Sequence, residues 1–322
     1  MTRRILSAIV GFGLALGLWA GAGAQTYPSR PIKLIVPFPA GGPPDVIARV
    51  VADSISPRLG QTVVVENRPG AGATIGTRSV ASAQADGYTL LYASTTSLSI
   101  APSLFKNVDY DPIKSFAPVA GISIGPAIVV VHPSVPAKTV AELVAHAKAN
   151  PGKLNYGAGV ASPPHIAWAQ WQQATGTQVL YVPYRGMAPA MSDLIGGQIQ
   201  LMIDGIGPLL PHIQEGKVRA LAVTGTTRSP QFPELPTMTE AGYPLVQSFW
   251  TGVVAPAGTP GEIVAKLNAA INATLQSDAM KAHLRRLNVD ANVTTPPQFA
   301  AFVAAEAKKW ADVIQSTGIK AE

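Results

Sequence analysis

The sequence contains no cysteine, and this absence excludes several classes of function at once. A chain without thiols has no disulfide, no thiolate nucleophile and no cysteine-ligated metal. Charged residues are also scarce, at 13% of the chain, whereas apolar residues make up 47%. That balance is typical of a well-packed globular protein and not of a disordered one. No run of lysine and arginine is interleaved with aromatic residues, so no nucleic-acid partner is expected.

Motifs for nucleotide, metal and serine chemistry are missing as well. Residues 70–76 follow G-x-G-x-x-x-G and not the dinucleotide pattern G-x-G-x-x-G, which favours a tight strand-to-helix connection. The five histidines are scattered, without an H-E-x-x-H motif, so we expect no metal and no cofactor. No G-x-S-x-G nucleophile elbow occurs. A catalytic triad would have to be assembled by the fold from distant residues, namely Ser162, His165, His212 and Asp204.

The first 24 residues have the features of an export signal. Arg3 and Arg4 precede an almost entirely apolar stretch over residues 5–20, and residues 22–24 are small, as at a cleavage site. Residues 1–24 are therefore predicted to be a signal peptide of an exported protein, cleaved before Gln25. The alternative, an uncleaved membrane anchor, needs a longer apolar span. Loss of the two arginines lowers the formal net charge from +6 to +4, which mildly favours anionic partners.

From residue 25 onward, short apolar runs alternate with longer amphipathic stretches, which predicts an α/β fold with parallel strands. Residues 32–36 are predicted to form a strand that leads into a small-residue bend at residues 38–42. Pro43 and Pro44 suit the first turn of the helix that follows. Backbone N–H groups in such a bend can hold an anion at the helix N-terminus. An ordinary strand-to-helix turn is the alternative.

The same order recurs in the second half of the chain. Residues 154–156 form a predicted strand, a small-residue bend follows at residues 157–162, and Pro163 and Pro164 open the next helix. Two such halves predict two lobes around one cleft. Residues 25–123 and 247–322 are assigned to a discontinuous first lobe and residues 124–246 to the second.

Polar residues also stand where other predicted strands end, the usual place for ligands in open α/β sheets. A hydroxyl cluster at residues 94–97 follows the strand at residues 88–93, and Asp204 ends the strand at residues 201–204. Asp204 would need a donor group or a bridging water to contact an anion, and capping the next helix is its alternative role. His165 follows the second bend, where a bond to a local carbonyl is the alternative to a role in binding.

Four motifs, in order, resemble the Bug proteins, the periplasmic solute-binding receptors of tripartite tricarboxylate transporters. They are I-V-P-F-P-A-G-G-x-x-D at residues 35–45, V-E-N-R-P-G-A-G at residues 65–72, P-Y-R-G-x-A-P-A-x-x-D-L with G-G-Q at residues 183–198, and V-A-P-A-G-T-P at residues 254–260. The similarity spans essentially the whole mature chain.

The resemblance implies a type II periplasmic-binding-protein fold, the Venus flytrap, in which each lobe is a mixed sheet flanked by helices. It implies a monomeric, non-enzymatic periplasmic receptor that closes on a small carboxylate and delivers it to an inner-membrane permease. The rival interpretation is a periplasmic hydrolase or isomerase that uses His165 and Asp204. The implied ligand contacts are Phe38, Ala40, Gly41, Gly42, Pro43, Asp45, Ser94, Thr95, Thr96, Ser97, Ala158, Gly159, Val160, Ala161, Ser162, His165, Tyr184, Arg185, Gly186, Asp204 and Trp250.

The second bend departs from the family pattern. Residues 160–164 are V-A-S-P-P, where the family commonly has glycine and several hydroxyls. This exchange replaces hydrogen-bond donors with apolar surface, so a heavily hydroxylated ligand such as citrate is disfavoured. We expect a mono- or dicarboxylate with an apolar aliphatic or aromatic body. Phe249 and Trp250 are candidates for an aromatic wall, as is Trp168 unless it serves helix packing.

Overall fold

The computed structural model describes residues 26–320. The predicted signal peptide, residues 1–24, lies outside them. Among the described helices, none combines the length and the apolar character that a bilayer crossing requires.

The described residues form ten strands and ten α-helices. The first part contains β1 (Ile32–Val36), α1 (Pro43–Leu59), β2 (Val63–Asn67), α2 (Thr74–Ala81), β3 (Thr89–Ser94), a π-helical turn (Thr95–Ile100), α3 (Ala101–Leu104) and β4 (Phe116–Val131). Next come α4 (Val140–Ala149), β5 (Asn155–Gly159), α5 (Pro163–Thr175), β6 (Leu180–Tyr184), α6 (Met187–Ile195), β7 (Leu201–Gly205), α7 (Ile206–Gln214) and β8 (Arg219–Val223). The chain ends with β9 (Ser248–Pro256), α8 (Gly261–Leu275), α9 (Asp278–Arg286), β10 (Asp290–Ala291) and α10 (Pro296–Thr317).

The strands build two mixed sheets that share β4, which confirms the two-lobed α/β fold. In the first lobe, β2, β1 and β3 are parallel, and β9 joins β3 to residues 116–126 of β4. In the second lobe, residues 127–131 of β4 pair with β7 on one side and β8 on the other. The strands β7, β5 and β6 follow as parallel neighbours. The division of the chain at residues 123/124 and 246/247 stays a prediction.

Strand register places the predicted bends at one edge of each sheet. In the first lobe Val36 pairs with Asn67, so the loops after β1 and β2 leave the sheet side by side. In the second lobe Gly159 pairs with Tyr184, which does the same for the loops after β5 and β6. Because carboxyl ends of parallel strands lie at the same edge, each lobe gathers its candidate residues on one side.

These two edges approach each other. A Cβ placed on Gly72, in the loop after β2, would lie 3.3 Å from the Cβ of Ala161, in the bend after β5. Ala161 and Ile166 of the second lobe also pack in one buried cluster with Leu104 and Trp310 of the first. The second bend therefore meets the loop after β2, which leaves the first-lobe sheet beside the first bend.

The sequence of residues 115–125 predicts a transition between elements, but the structure places residues 116–131 in one long strand, β4. Gly121, Gly125 and Pro126 are weak strand formers, yet they lie within a strand of 16 residues. Its register against β9 shifts at two places, between Pro118 and Ala120 and again between Gly121 and Ser123. Pairing with β9 therefore keeps these residues in the sheet despite their low propensity.

Gly252 in β9 provides a test of this packing. A Cβ there would collide with the buried ring of Phe299 on α10 and lie 2.8 Å from the Ala120 oxygen. We expect Gly252→Ala to lower the free energy of unfolding by about 1–3 kcal/mol, because the core has no room for the added methyl group. Urea denaturation of the ligand-free protein measures this change.

Gly261→Ala is the matched control, because a Cβ on Gly261 meets no heavy atom of the described residues within 4 Å beyond its chain neighbours and its own helix backbone. Alanine also suits the first turn of α8 better than glycine. Equal stability of the two variants would contradict the packing described for β9 and α10.

Candidate functional site

Residues 38–45, which comprise the first bend and the start of α1, are called the first jaw. Residues 158–165, which comprise the end of β5, the second bend and the start of α5, are called the second jaw. Each bend lies between a parallel strand and a helix that begins with two prolines, Pro43–Pro44 in α1 and Pro163–Pro164 in α5. This confirms the repeated strand–bend–helix order that the sequence indicated. The N-termini of both helices lie at the cleft, where their dipoles favour negative charge.

The first jaw is held together by the carboxylate of Asp45, which is only 2% exposed. Its Oδ2 accepts hydrogen bonds from the backbone N–H of Gly41 (2.9 Å) and from Nε of Arg49 (3.0 Å). Its Oδ1 accepts a bond of 2.8 Å from Nδ2 of Asn67 at the end of β2. Asn67 also donates to the Phe38 carbonyl at 3.1 Å and accepts from Arg49 Nη2 at 2.9 Å.

This network decides the charge of Asp45. Burial works to raise the pKa of the Asp45 carboxyl, but the hydrogen bonds from Arg49, Gly41 and Asn67 outweigh it and hold the pKa below its usual value. Asp45 is therefore ionised at neutral pH, with its oxygens already engaged by the protein. The structure places it as the anchor of the jaw.

The hydrogen bonds of Asp45 also determine which backbone N–H groups of the first jaw remain available to a ligand. The N–H of Gly41 is used by Asp45, whereas those of Ala40 and Gly42 have no acceptor within the described residues. Pro43 has no N–H to offer. In the first jaw, Ala40 and Gly42 thus keep donors that a ligand oxygen could accept.

The second jaw is stabilised by Ser162, which caps α5. Its hydroxyl donates to the Gly159 carbonyl at 2.7 Å and accepts from the backbone N–H of His165 at 3.4 Å. The N–H groups of Val160 and Ala161 have no acceptor within the part of the chain that the structure describes. Ala161 has a φ of 57°, a left-handed conformation that non-glycine residues adopt at modest cost. The free donors of this jaw are again backbone groups.

His165 is the last residue of the second jaw and is 6% exposed. Its ring stacks on that of Tyr181 with centroids 4.1 Å apart and 12° between the planes. Nδ1 is buried and has no hydrogen-bond partner among the described residues. Burial lowers the pKa of His165 to about 4, so the imidazole is neutral at physiological pH. The alternative role, a hydrogen bond from this nitrogen to a local carbonyl, is not observed within residues 26–320.

The hydroxyl cluster after β3 forms bonds within itself. Ser94 and Ser97 cap the π-helical turn reciprocally, and the hydroxyl of Thr95 accepts the backbone N–H of Trp250 at 3.0 Å. Thr96 is half-buried, and its hydroxyl makes no hydrogen bond within residues 26–320. Of these four predicted contacts, Thr96 is the one whose hydroxyl is wholly available.

Tyr184 ends β6 beside the second jaw, and Arg185 and Gly186 follow the strand. The Tyr184 hydroxyl donates to Asp193 Oδ2 at 2.6 Å, and burial together with this bond raises the pKa of Tyr184 to about 12. Arg185 is exposed and forms no ion pair among the described side chains. Gly186 precedes α6 with an extended backbone.

Asp204 is the second-last residue of β7 and lies at the same edge of the sheet as the second jaw. It is half-buried, and its Oδ1 accepts the N–H of Gly205 at 2.7 Å. Burial raises the pKa of the Asp204 carboxyl to about 7, against the opposing effect of that bond. No ion pair compensates this carboxyl among residues 26–320. Asp204 thus exchanges its proton close to neutral pH.

The aromatic candidates pack mainly in the cores. Trp250 is 1% exposed and lies edge-on against Phe299 and Phe302 in the first lobe. Trp168 packs against Tyr156 and Trp171, the helix-packing role that was the alternative for it. The structure therefore gives Trp250 a place in the core beside the cleft, and its contact with a ligand stays a prediction.

Three residues of the site were missed from the sequence, Arg49, Asn67 and Tyr181. Arg49 stands four positions after Asp45, the spacing of a helical ion pair, and Asn67 belongs to the V-E-N-R-P-G-A-G motif. Nothing in the sequence pairs Tyr181 with His165. Within the described residues, no group of three or more histidine, aspartate or glutamate side chains is placed to hold a metal.

Comparisons with known proteins agree with this architecture. Residues 47–319 match the sequence model of the family described as "Tripartite tricarboxylate transporter family receptor". The protein BugT of Bordetella pertussis is 40% identical over 324 residues, which cover 99% of each chain.

Two solved structures from Rhodopseudomonas palustris are also similar. One, solved with adipate, is 35% identical with a TM-score of 0.85, over 91% of this chain and 99% of that one. The other, MatC with bound malate, is 33% identical with a TM-score of 0.82, over 89% and 100% of the two chains. The chain therefore belongs to the Bug family of tripartite tricarboxylate transporter receptors.

Proposed function

We propose that this chain is a periplasmic receptor that binds a small carboxylate between its jaws, closes on it and delivers it to a tripartite tricarboxylate-type permease. The observation that carries the proposal is the pair of bends, one at the carboxyl edge of each sheet, whose backbone N–H groups at Ala40, Gly42, Val160 and Ala161 have no acceptor among residues 26–320. Each bend also stands at the N-terminus of a helix, a ready site for an anion. The predicted signal peptide supports the periplasmic location.

The donors would hold one carboxylate group of the ligand from both lobes. Ala40 and Gly42 approach it from the first jaw, and Val160 and Ala161 from the second. Hydrogen bonds from N–H groups to a carboxylate are charge-assisted and roughly twice as strong as neutral ones. Because both lobes contribute hydrogen-bond donors, all of them can reach the ligand only in the closed form. The ligand therefore binds the closed form more tightly than the open form and shifts the population toward closure.

The ligand is proposed to have an apolar body. Val160 of the second jaw is 42% exposed, so an apolar side chain stands where it can meet a bound molecule. Pockets for small molecules are mostly apolar, with few polar groups that fix orientation. Adipate, the compound in a related structure, has carboxylates separated by an unbranched methylene chain and suits such a surface better than citrate does.

The second end of the ligand is proposed to meet Asp204 and Arg185. Protonated Asp204 can donate a hydrogen bond to a second carboxylate, whereas the ionised form would repel it. Arg185 has no partner among the described charged residues and can add positive charge at this end. The pair therefore favours a dicarboxylate over a monocarboxylate.

A hydrolytic role receives less support. The hydroxyl of Ser162, the nearest serine to His165 in sequence, is bonded to the Gly159 carbonyl and caps α5. The family consists of receptors, which return their ligand unchanged. Recovery of the test compound after incubation separates the two classes, since a hydrolase or isomerase would convert it.

The proposal predicts a pattern of thermal stabilisation. At roughly 100 times its dissociation constant, adipate should raise the melting temperature by about 5 °C, because it binds the folded state alone. Malate and an aromatic diacid such as phthalate should stabilise measurably, and citrate least. Strong stabilisation by citrate with none by the diacids would contradict the ligand class. No response to any carboxylate would contradict the proposed function.

Gly42→Val tests whether the ligand binds in the first jaw. Gly42 has a φ of −76°, and its Cβ position lies 3.7 Å from the nearest heavy atom outside its neighbours, so valine fits the fold but shields the N–H. Gly41 has a φ of 83° and is a poorer choice, because valine would also strain the backbone. Gly42→Val should abolish stabilisation by adipate, whereas Gly261→Val, outside the cleft, should retain it. An unchanged affinity in Gly42→Val would remove this jaw from the site.

The raised pKa of Asp204 predicts a pH dependence of stability. The pKa is about 7 in the folded protein and 3.8 when unperturbed, so the folded state holds the proton more tightly. That contribution is complete below the unperturbed value and is lost as pH rises through about 7. Asparagine does not titrate, so Asp204→Asn has no such pH-dependent loss. The melting temperature of Asp204→Asn minus that of the ligand-free wild type should therefore increase between about pH 5 and pH 8. A constant difference across this range would contradict the raised pKa.

A further inference from the structure

Four aromatic rings form a column that runs from the second jaw into the core of its lobe. The ring of His165 lies on Tyr181 at 4.1 Å, Tyr181 lies on Tyr156 at 5.2 Å, and Tyr156 meets Trp168 at 5.5 Å. The angles between successive planes are 12°, 29° and 33°, so the His165 and Tyr181 rings are nearly parallel and Trp168 is tilted against Tyr156. Tyr156 and Trp168 are buried in the core cluster of the second lobe.

The fold builds this column from three elements. Tyr156 in β5 and Tyr181 in β6 are direct partners in the parallel register, so their side chains share one face of the sheet. His165 and Trp168 are three residues apart on α5, which places them on one face of the helix. Tyr181 stands at the centre of the interface between strand and helix and touches His165 on one side and Tyr156 on the other.

Tyr181 also reaches the jaw itself. Its hydroxyl donates to the carbonyl of Ala158 at 3.3 Å, within the second jaw. Within residues 26–320, Nδ1 of the imidazole that it covers is buried without a hydrogen-bond partner, and the pKa of His165 is lowered by burial with no contribution from a charged neighbour. A neutral imidazole has one nitrogen that donates and one that accepts. The surroundings of the ring thus decide which of its two nitrogens can form a hydrogen bond with a ligand.

We propose that Tyr181 is the positioning residue of the second jaw: its stacked ring fixes the plane of His165, so that Nε2 faces the cleft and donates its proton to the ligand carboxylate. This inference rests on the proposed carboxylate-binding function. The stack keeps water away from the enclosed face of the imidazole and holds the ring in one rotamer. His165 then adds a neutral side-chain donor to the backbone donors of Val160 and Ala161. A mobile ring would be hydrated, would gain a proton more readily and would lose its alignment.

Two substitutions separate stacking from the other contacts of Tyr181. Tyr181→Phe keeps the aromatic ring and removes the bond to Ala158, whereas Tyr181→Leu keeps apolar bulk and removes the stack. Tyr243→Leu is the matched control, because Tyr243 packs on the same core cluster but forms no ring contact with His165 among the described residues. The His165 imidazole is titrated by NMR in the ligand-free protein, with its resonance assigned by comparison with His165→Gln. Adipate affinity is measured by calorimetry on the same samples.

We expect the pKa of His165 to remain near 4 in the wild type, in Tyr181→Phe and in Tyr243→Leu. In Tyr181→Leu it should rise toward about 6.5, the ordinary value. Adipate should bind Tyr181→Leu roughly three- to tenfold more weakly and Tyr181→Phe within about twofold of the wild type. A folded Tyr181→Leu protein with an unchanged His165 titration would overturn the proposal. So would a rise of the same size in Tyr243→Leu.

The titration requires no ligand and so stands apart from the proposed function. If adipate and the other carboxylates all fail to stabilise the wild type, the proposed function is wrong, whatever the imidazole does. If they stabilise it but Tyr181→Leu leaves both the His165 titration and the affinity unchanged, the positioning role alone is wrong.

Discussion

The buried carboxylate of Asp45 is the interaction on which the first jaw depends. A charge that is 2% exposed is costly unless it is bonded, and here Arg49, Asn67 and the N–H of Gly41 all donate to it. These bonds tie the first turn of α1 to the end of β2, and through Asn67 they also fix the carbonyl of Phe38. The bend is thereby held in a shape that leaves the N–H groups of Ala40 and Gly42 without an acceptor among the described residues. An acidic residue thus prepares a site for an anion by engaging the protein's own donors and not by meeting the ligand.

The second jaw reaches a similar shape without charge. Ser162 caps α5, and the stack of Tyr181 on His165 encloses one side of the imidazole. The two jaws therefore differ in what could disturb them. The charged network of the first depends on Asp45 staying ionised, whereas the neutral stack of the second depends on packing alone. Both present backbone donors at a helix N-terminus, and in our proposal the closure of one on the other makes a complete carboxylate site from two incomplete ones.

Much of this arrangement could be predicted from the sequence, because it depends on local rules. The apolar runs gave the strands, and the proline pairs at residues 43–44 and 163–164 marked the two helices that open at the cleft. What could not be predicted depends on tertiary partners. Gly121, Gly125 and Pro126 indicated a break, but pairing with β9 keeps them in a strand. The hydroxyls of Ser94, Thr95 and Ser97 looked available, yet capping and the N–H of Trp250 engage them. Tyr181 meets His165 because of strand register, which no local pattern encodes.

The central claim is that backbone donors of both jaws hold one carboxylate group of the ligand. A crystal structure of the protein with adipate tests it most directly. The account predicts one carboxylate with its oxygens about 2.7–3.2 Å from the backbone nitrogens of Gly42 in the first jaw and Ala161 in the second. A carboxylate paired with Arg185 instead, with neither jaw's N–H groups within hydrogen-bonding distance, would contradict it.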